Sequence, residues 1–422
     1  MKKILLKAPL LTQSGYGHHS RTVLRALRQH EGELFDIYLH VLNWGATSWL
    51  HDDNEERRWI DAAIIKTVEH VKNGGAFDMS LQVGIPQEWE PIAPINIGVT
   101  AGVETTKVSP VWLQKINSMD KVLTISEHAK NSIVSTSYEA QNKNTGETAT
   151  LACETPVDVI SYPVNLYEPQ ELDLDLETDF NFLTVMQLSP RKNLNQLVDC
   201  FLEQFKNEKV GLVVKTNMSK NSLIDKINCD RLLKSLMSKH GDDLKCKVYL
   251  LHGYMTNEEM IGLYTHPKIK ALVSTTHGEG FGLPLFEAAY SGLPVCATDW
   301  SGHLDFLYKK TPQKNGKVKN KPMFNRISYT LQPVQQEAVW ENIIVRESKW
   351  AFPENGSIKM NMEEIHKDYG RFKKRAKELQ KWVREEFNDN KQYGKYVDSI
   401  RPFLEQNDNW LGEIENIVNE YE

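Results

Sequence analysis

The sequence predicts an α/β protein made of two doubly wound, Rossmann-like domains that face each other across a cleft. Three observations carry this. Short apolar runs alternate with helix-patterned segments, as in βα units with a largely parallel sheet. An acidic stretch near residue 175 interrupts the alternation, which then starts afresh. One of the later runs ends in a glycine-rich turn set between two glutamates.

In chain order, KILLKAP reads as a first buried strand and HSRTVLRALRQH as the helix after it. DIYLHVLN, INIGVT, KVLTIS and VDVISYP read as further strands. The stretch EPQELDLDLETDF then holds six acids between Glu168 and Asp179 and no base. It reads as a solvated linker, so its Asp173-x-Asp175 pair is not taken as a metal site. The second series runs through NFLTVMQLS, KVGLVVKT, CKVYLLHG, IKALVSTT and LPVCAT. Lys309 to Arg326, with seven bases and no acid, reads as a long surface loop. From Met362 to Glu386 the pattern is a strong amphipathic helix, and more helix is expected to the end. The expected division is 1–172 for an acceptor-side domain, 173–385 for a nucleotide-sugar domain, and 386–422 for helices returning to the first domain.

Composition limits the function classes. With 422 residues, 40% hydrophobic and 25% charged, and a net charge of −6, the chain can bury large cores. No apolar run reaches the roughly 18–20 residues that span a bilayer. The amino terminus resembles a signal peptide only superficially, because Lys7 and Pro9 interrupt it and no A-x-A site follows. Five scattered cysteines form no CxxC pair and no zinc spacing, so reduced thiols and a cytoplasmic location are expected, the host cytoplasm if the source is a virus. No metal site and no cofactor are expected.

The turn THGEGFGLPLFEAAYSGLP follows the strand IKALVSTT. Pro284 suits a first helical turn, where a missing N–H costs nothing. Glycines let a backbone approach a ligand, and the free amides at the helix start favour an anion. Glu279 and Glu287 lie eight positions apart around the turn. A carboxylate beside a phosphate is repelled, so Glu279 is better used on a neutral hydroxyl, and Glu287 could take a vicinal diol such as ribose. Phosphate on amides and sugars on acids together describe a nucleotide sugar.

The segment GEGFGLPLFEAAYSGLPV resembles the E-x7-E signature of retaining GT-B glycosyltransferases of the family 4 type. LTVMQLSPRKNLNQLVDCF resembles the strand-loop-helix with that family's basic diphosphate clamp, and VYLLHGYMTNEEMIGLY the segment beside its base pocket. VLTISEHAKNSI and VDVISYPVN resemble its last strands before the interdomain linker, so the likeness covers roughly residues 90–310. The resemblance implies a GT-B fold whose carboxy-terminal helices pack back on the first domain. It implies that the amides of Gly280, Phe281, Gly282 and Leu283 hold the diphosphate. Glu287 would bind the ribose and Glu279 the transferred sugar, while Arg191 and Lys192 neutralise the leaving group. The family commonly has an arginine where this chain has Gln187, and Arg191 is expected to supply that charge. Lys215, ending VGLVVK, is a further clamp candidate, with a solvated strand end as the alternative. Retention in this family involves no clear protein nucleophile, and no metal is needed where two cations and a ring of amides receive the departing charge.

On the acceptor side, SGYGHHSR reads as a second flexible turn. Gly15 and Gly17 would admit the sugar phosphate with His18 nearby, and a plain βα turn is the alternative. Glu104 and Thr105 lie just beyond the strand INIGVT, where the family often carries a residue near the reacting sugar. Two basic concentrations bear on the acceptor: residues 1–30, with six Lys/Arg and no acid, and the 309–326 segment. Arg21, Arg25 and Arg28 recur at helical spacing on one face. Such patches fit a polyanion. Duplex DNA is the favoured one, with a hydroxymethylated cytosine as acceptor, as in certain bacteriophage glycosyltransferases of this fold. A lipid-linked or cell-surface glycan at a membrane is the alternative, weakened by the lack of an amphipathic helix with exposed Trp or Phe beside either patch. Ordinary solvated surfaces remain a third reading, and a non-catalytic nucleotide-sugar-binding protein a reading of another class.

Overall fold

The run KKILLKA becomes a strand because its apolar residues are covered on both faces, as central parallel strands require. A computed structural model describes residues 1–404, except 46, 142–145, 147, 242 and 314–316. The first domain contains β1 (Lys2–Ala8), α1 (Gly15–Arg28), β2 (Phe35–Val41), α2 (Glu55–Lys72), β3 (Met79–Val83) and β4 (Ile95–Thr100). It continues with α3 (Pro110–Ile116), β5 (Lys121–Thr124), α4 (Glu127–Ser135), a hairpin of β6 (Ser137–Gln141) and β7 (Thr148–Ala152), and β8 (Val157–Val159). Its main sheet is parallel, in the order β2-β1-β3-β4-β5-β8.

The second domain begins with β9 (Asn181–Gln187), α5 (Leu194–Phe205), β10 (Gly211–Asn217), α6 (Leu223–Met237), β11 (Lys247–Leu251) and α7 (Asn257–Thr265). It goes on through β12 (Ile269–Ser274), α8 (Leu283–Ser291), β13 (Val295–Thr298) and α9 (Leu304–Leu307). β14 (Tyr308–Pro312) and β15 (Val318–Pro322) form a hairpin, followed by β16 (Asn325–Ile327) and the antiparallel pair β17 (Tyr329–Pro333) and β18 (Lys349–Pro353). α10 (Asn355–Lys367) and α11 (Tyr369–Glu386) complete it. This sheet too is parallel, in the order β11-β10-β9-β12-β13-β16. Two doubly wound parallel sheets facing one another make a GT-B arrangement.

Between the sheets, Leu172, Leu174 and Leu176 turn inward while Asp173 and Asp175 stay exposed, so the acids are the solvent side of an extended linker. Helical residues 389–404 cross back, and Tyr393, Tyr396, Val397 and Ile400 enter the first domain's core. The Tyr396 hydroxyl lies 3.2 Å from His19 Nε2, and Lys121 Nζ donates to the Ser399 carbonyl at 3.1 Å. Of the helix expected to the chain end, residues 405–422 lie outside the described residues.

Three expectations are corrected here. SGYGHHSR is not a flexible turn: α1 begins at Gly15, because the Ser14 hydroxyl accepts from the Gly17 amide at 2.9 Å and caps the helix. The described part of the 309–326 segment is no open loop, since cross-strand pairing places 309–312 and 318–322 in β14 and β15, and Asn325 and Arg326 extend the second sheet, while 314–316 lie outside the described residues. The third is an omission. β3 escaped notice because its buried face carries Ser80 and Gln82, whose polarity is met by Asn96 Oδ1 and by Glu90 backbone groups.

Candidate active site

β12 leads into the glycine turn at its carboxyl end, where ligands of doubly wound sheets gather. Gly282 caps α8 with φ 92°, in the left-handed region, and no side chain bonds the helix start. The first amides of α8 therefore have no side-chain partner, which suits an anion. The other glycines serve a different purpose from the one expected. A Cβ on Gly278 would lie 2.1 Å from the Glu104 carbonyl oxygen, and one on Gly280 2.0 Å from that of Ala101. They admit the loop after β4, so the two domains touch at this turn. Ser126 Oγ donates to the Gly280 carbonyl at 2.6 Å, and the Glu127 amide to Asp305 Oδ2 at 2.8 Å. The Phe281 ring is core, packed on Phe286, Phe306 and Tyr162, which leaves only its backbone for a ligand.

All four residues expected to carry the chemistry meet here. Arg191 and Lys192 sit in the single 3-10 turn after β9. Lys192 Nζ lies 2.5 Å from Glu279 Oε1, and Arg191 Nη1 3.1 Å from Glu279 Oε2. Arg191 Nη2 reaches across to Glu104 Oε1 of the first domain at 3.0 Å. Two acids and two bases thus form a mostly buried quartet spanning the domain boundary, with Glu279 the most enclosed. Buried charges without partners are costly, so in the absence of a ligand these groups satisfy one another. Burial opposes the charge of Glu279, but Lys192 and Arg191 outweigh it and hold the carboxyl down at about 2. Burial wins at Glu104, whose pKa is raised despite Arg191. Thr105 does not join the site: it is buried and its hydroxyl donates to the Lys107 carbonyl at 2.9 Å, closing its own loop.

An interdomain cavity of about 500 Å³ opens at the start of α8, and none of the quartet's residues lines it. Gly15, His18, Arg21 and Arg25 line it from the first domain, and Lys215, Leu283 and Glu287 from the second. Burial pushes the Glu287 carboxyl up to about 7, partly offset by the Tyr264 hydroxyl, which donates to it at 2.7 Å. Tyr264 was missed by sequence reasoning, because nothing in GLYTH distinguishes a site tyrosine from a core one. Burial and neighbouring Arg21 and Arg25 lower the His18 pKa to about 3, so its ring is neutral. Lys215 Nζ bonds the Gly253 carbonyl and acts first as a brace between strand ends. Gly17 does not line the cavity; its missing Cβ accommodates the Thr12 carbonyl oxygen, which would be 2.0 Å away.

The basic face of α1 is not free for a polyanion. Arg25 is held by Glu56 through two bonds of 2.7 and 2.9 Å, and Arg21 donates to the carbonyls of Leu10 and Thr12 at 2.9 and 3.1 Å. Arg28 stacks 4.5 Å over Trp59. In the hairpin, Lys309 and Lys321 share Glu378, while Lys310 and Lys319 stay exposed.

Residues 173–316 match the model of a family described as Glycosyl transferases group 1. A stretch of 122 residues, 28% of this chain, is 32% identical to the serotype-specific mannosyltransferase WbdA of Escherichia coli and spans 13% of that protein's length. Among solved structures, sucrose-phosphate synthase from Thermosynechococcus elongatus superposes with a TM-score of 0.58 at 14% identity, over 95% of this chain and 99% of that one. A glycosyltransferase from Rickettsia africae gives 0.58 at 14% identity, over 96% and 98%. HepE of Anabaena, solved with UDP and glucose, gives 0.56 at 13% identity, over 95% and 100%. Part of the second domain thus matches the glycosyltransferase group 1 model, and the whole chain has the GT-B fold of these structures.

Proposed function

We propose that this protein is a retaining glycosyltransferase of the family 4 type that takes its sugar from a nucleotide-diphosphate donor, such as a UDP-sugar. The observation that carries the reading is the mostly buried quartet of Glu104, Arg191, Lys192 and Glu279 near an uncapped helix start. The diphosphate would lie on the amides of Gly280–Leu283 and take over Arg191 and Lys192 from Glu279. Glu279 would then be released to the hydroxyls of the sugar, and Glu287 would hold the ribose. As the anomeric carbon becomes cationic, the leaving diphosphate gains charge, and the two cations bind that charge more tightly than the ground state. These cations do the work a metal does elsewhere, so the reaction is read as metal-independent and without a cofactor beyond the donor itself.

For the acceptor, the likeness to a mannosyltransferase over 122 residues favours a glycan hydroxyl entering from the first domain, near Glu104 and His18. Modified DNA is the second reading. The arginines of α1 lend it little, because Glu56, Trp59 and backbone carbonyls occupy them, and its support is the exposed Lys310 and Lys319 of the hairpin. Affinity for duplex DNA that falls steeply with added salt would restore that reading.

The test of the enzyme is release of sugar from UDP- and GDP-sugars without acceptor. Wild type is expected to release it slowly, and Glu279→Gln about 10²–10³-fold more slowly. Equal release by the two proteins would remove Glu279 from the chemistry, and release no faster than without protein would leave a nucleotide-sugar-binding protein without catalysis.

A further inference from the structure

Away from the quartet, a second buried carboxylate is bonded on every side. Asp225, in the first turn of α6, is 6% exposed. It accepts from the amides of Met218, Ser219 and Lys220 at 2.9, 2.8 and 3.0 Å. His252 Nε2 lies 2.9 Å from Oδ1, and the Cys229 thiol donates to the same oxygen at 3.4 Å. The residue types are those of a metal site, with one atom of each within 4.8 Å of the others. Here, however, backbone amides claim the carboxylate, and His252 and Cys229 complete its shell as donors. Burial works against its charge, but the three amides prevail and its pKa falls well below the usual carboxylate range.

What the knot joins gives it a role. It ties the loop after β10 to the loop after β11, and Lys215 adds a second tie through the Gly253 carbonyl. From the end of β10 and the first loop Asn217, Ser219 and Asn221 line the cavity, and from the second loop Gly253, Tyr254 and Met255. In the sheet order β11-β10-β9-β12, β10 and β11 stand two and three strands from the strand that feeds α8. That is roughly 10 to 14 Å at ordinary strand spacing, a span that a nucleoside joined to a diphosphate seated on α8 could bridge.

Resting on the donor reading above, we infer that Asp225 and His252 are positioning residues that hold these two loops in register as the wall receiving the donor's base. They touch no reacting atom, so their loss should weaken the grip on the nucleoside and spare the grip on phosphate.

The experiment is calorimetric titration with UDP, GDP, ADP and inorganic pyrophosphate of wild type, His252→Leu, which removes the donor and keeps bulk, and His252→Gln, which keeps an amide donor. The nucleotide that binds wild type is expected to lose about tenfold in affinity in His252→Leu, as for a lost bond to a charged group. It should recover in His252→Gln, with pyrophosphate affinity constant throughout. Should His252→Leu fail to fold, His252→Ala is expected to give the same split. Unchanged nucleotide affinity, an equal loss for pyrophosphate, or one equivalent of zinc in the purified protein would overturn the inference. If no nucleoside diphosphate binds wild type, the donor reading itself falls and takes the inference with it.

Discussion

The helices α1 and α8 both follow a sheet strand into the cavity and both open on glycines, yet they begin differently. At α1 the Ser14 hydroxyl takes the Gly17 amide, and Gly17 is small because the Thr12 carbonyl occupies the space of its Cβ. At α8 the cap is Gly282 itself, left-handed and without a side chain to offer. A helix start that satisfies its own amides has less to give an anion than one that leaves them open. The same residue type thus marks close packing at one helix start and an uncapped set of amides at the other. On the donor reading proposed above, that contrast favours the second domain as the seat of the diphosphate.

The comparison breaks most readily at Gly282. An alanine there would hold a left-handed conformation at about 1–2 kcal/mol, with its Cβ 3.1 Å from Leu285 Cδ1 and 3.2 Å from His303 Cβ. We expect Gly282→Ala to lower the unfolding midpoint by a few degrees in a thermal scan and to cut donor turnover at least about tenfold. Unchanged turnover would mean that the start of α8 does not hold the donor.

Glu287 gives an intermediate effect. Its folded pKa of about 7 stands above the ordinary 4.5. The folded state therefore binds this proton more tightly than the unfolded chain. The resulting stability is full below 4.5 and is lost as pH rises through 7. A carboxylate that must accept ribose hydroxyls is better ionised, so donor affinity measured by calorimetry should rise as pH passes upward through that value. Glu287→Gln should flatten the profile, and a retained slope would place the titrating group elsewhere.

The smallest effect is expected at Ser14. Ser14→Ala should cost about 1 kcal/mol of stability in denaturant unfolding and leave the donor KM nearly unchanged. A loss of donor affinity equal to that of Gly282→Ala would make the two helices equal partners and remove the distinction.

Much of the fold was legible because its central strands are continuous apolar runs broken by turns, and the acidic linker marks where one series ends. What hid was polar: β3 buries Ser80 and Gln82, and α1 extends into a stretch whose glycines resemble a loop until the Ser14 cap is seen. At the site, Glu104, Arg191, Lys192 and Glu279 could each be named, but sequence spacing carries no information on which charge answers which. Their mutual pairing, and the use of Gly278 and Gly280 to admit the opposite domain, exist only once the domains meet. His252 and Tyr264 left no local pattern, since their partners Asp225 and Glu287 lie 27 and 23 positions away.

The returning helix at 389–404 has a mechanical consequence. Where α11 ends, the Phe387 carbonyl accepts from the Val164 amide at 2.7 Å, so the outgoing and homecoming chains cross side by side. Two adjacent crossings make one narrow tie, so a swing of the two domains about that line would meet less resistance than a twist or a slide, and it would part Arg191 from Glu104.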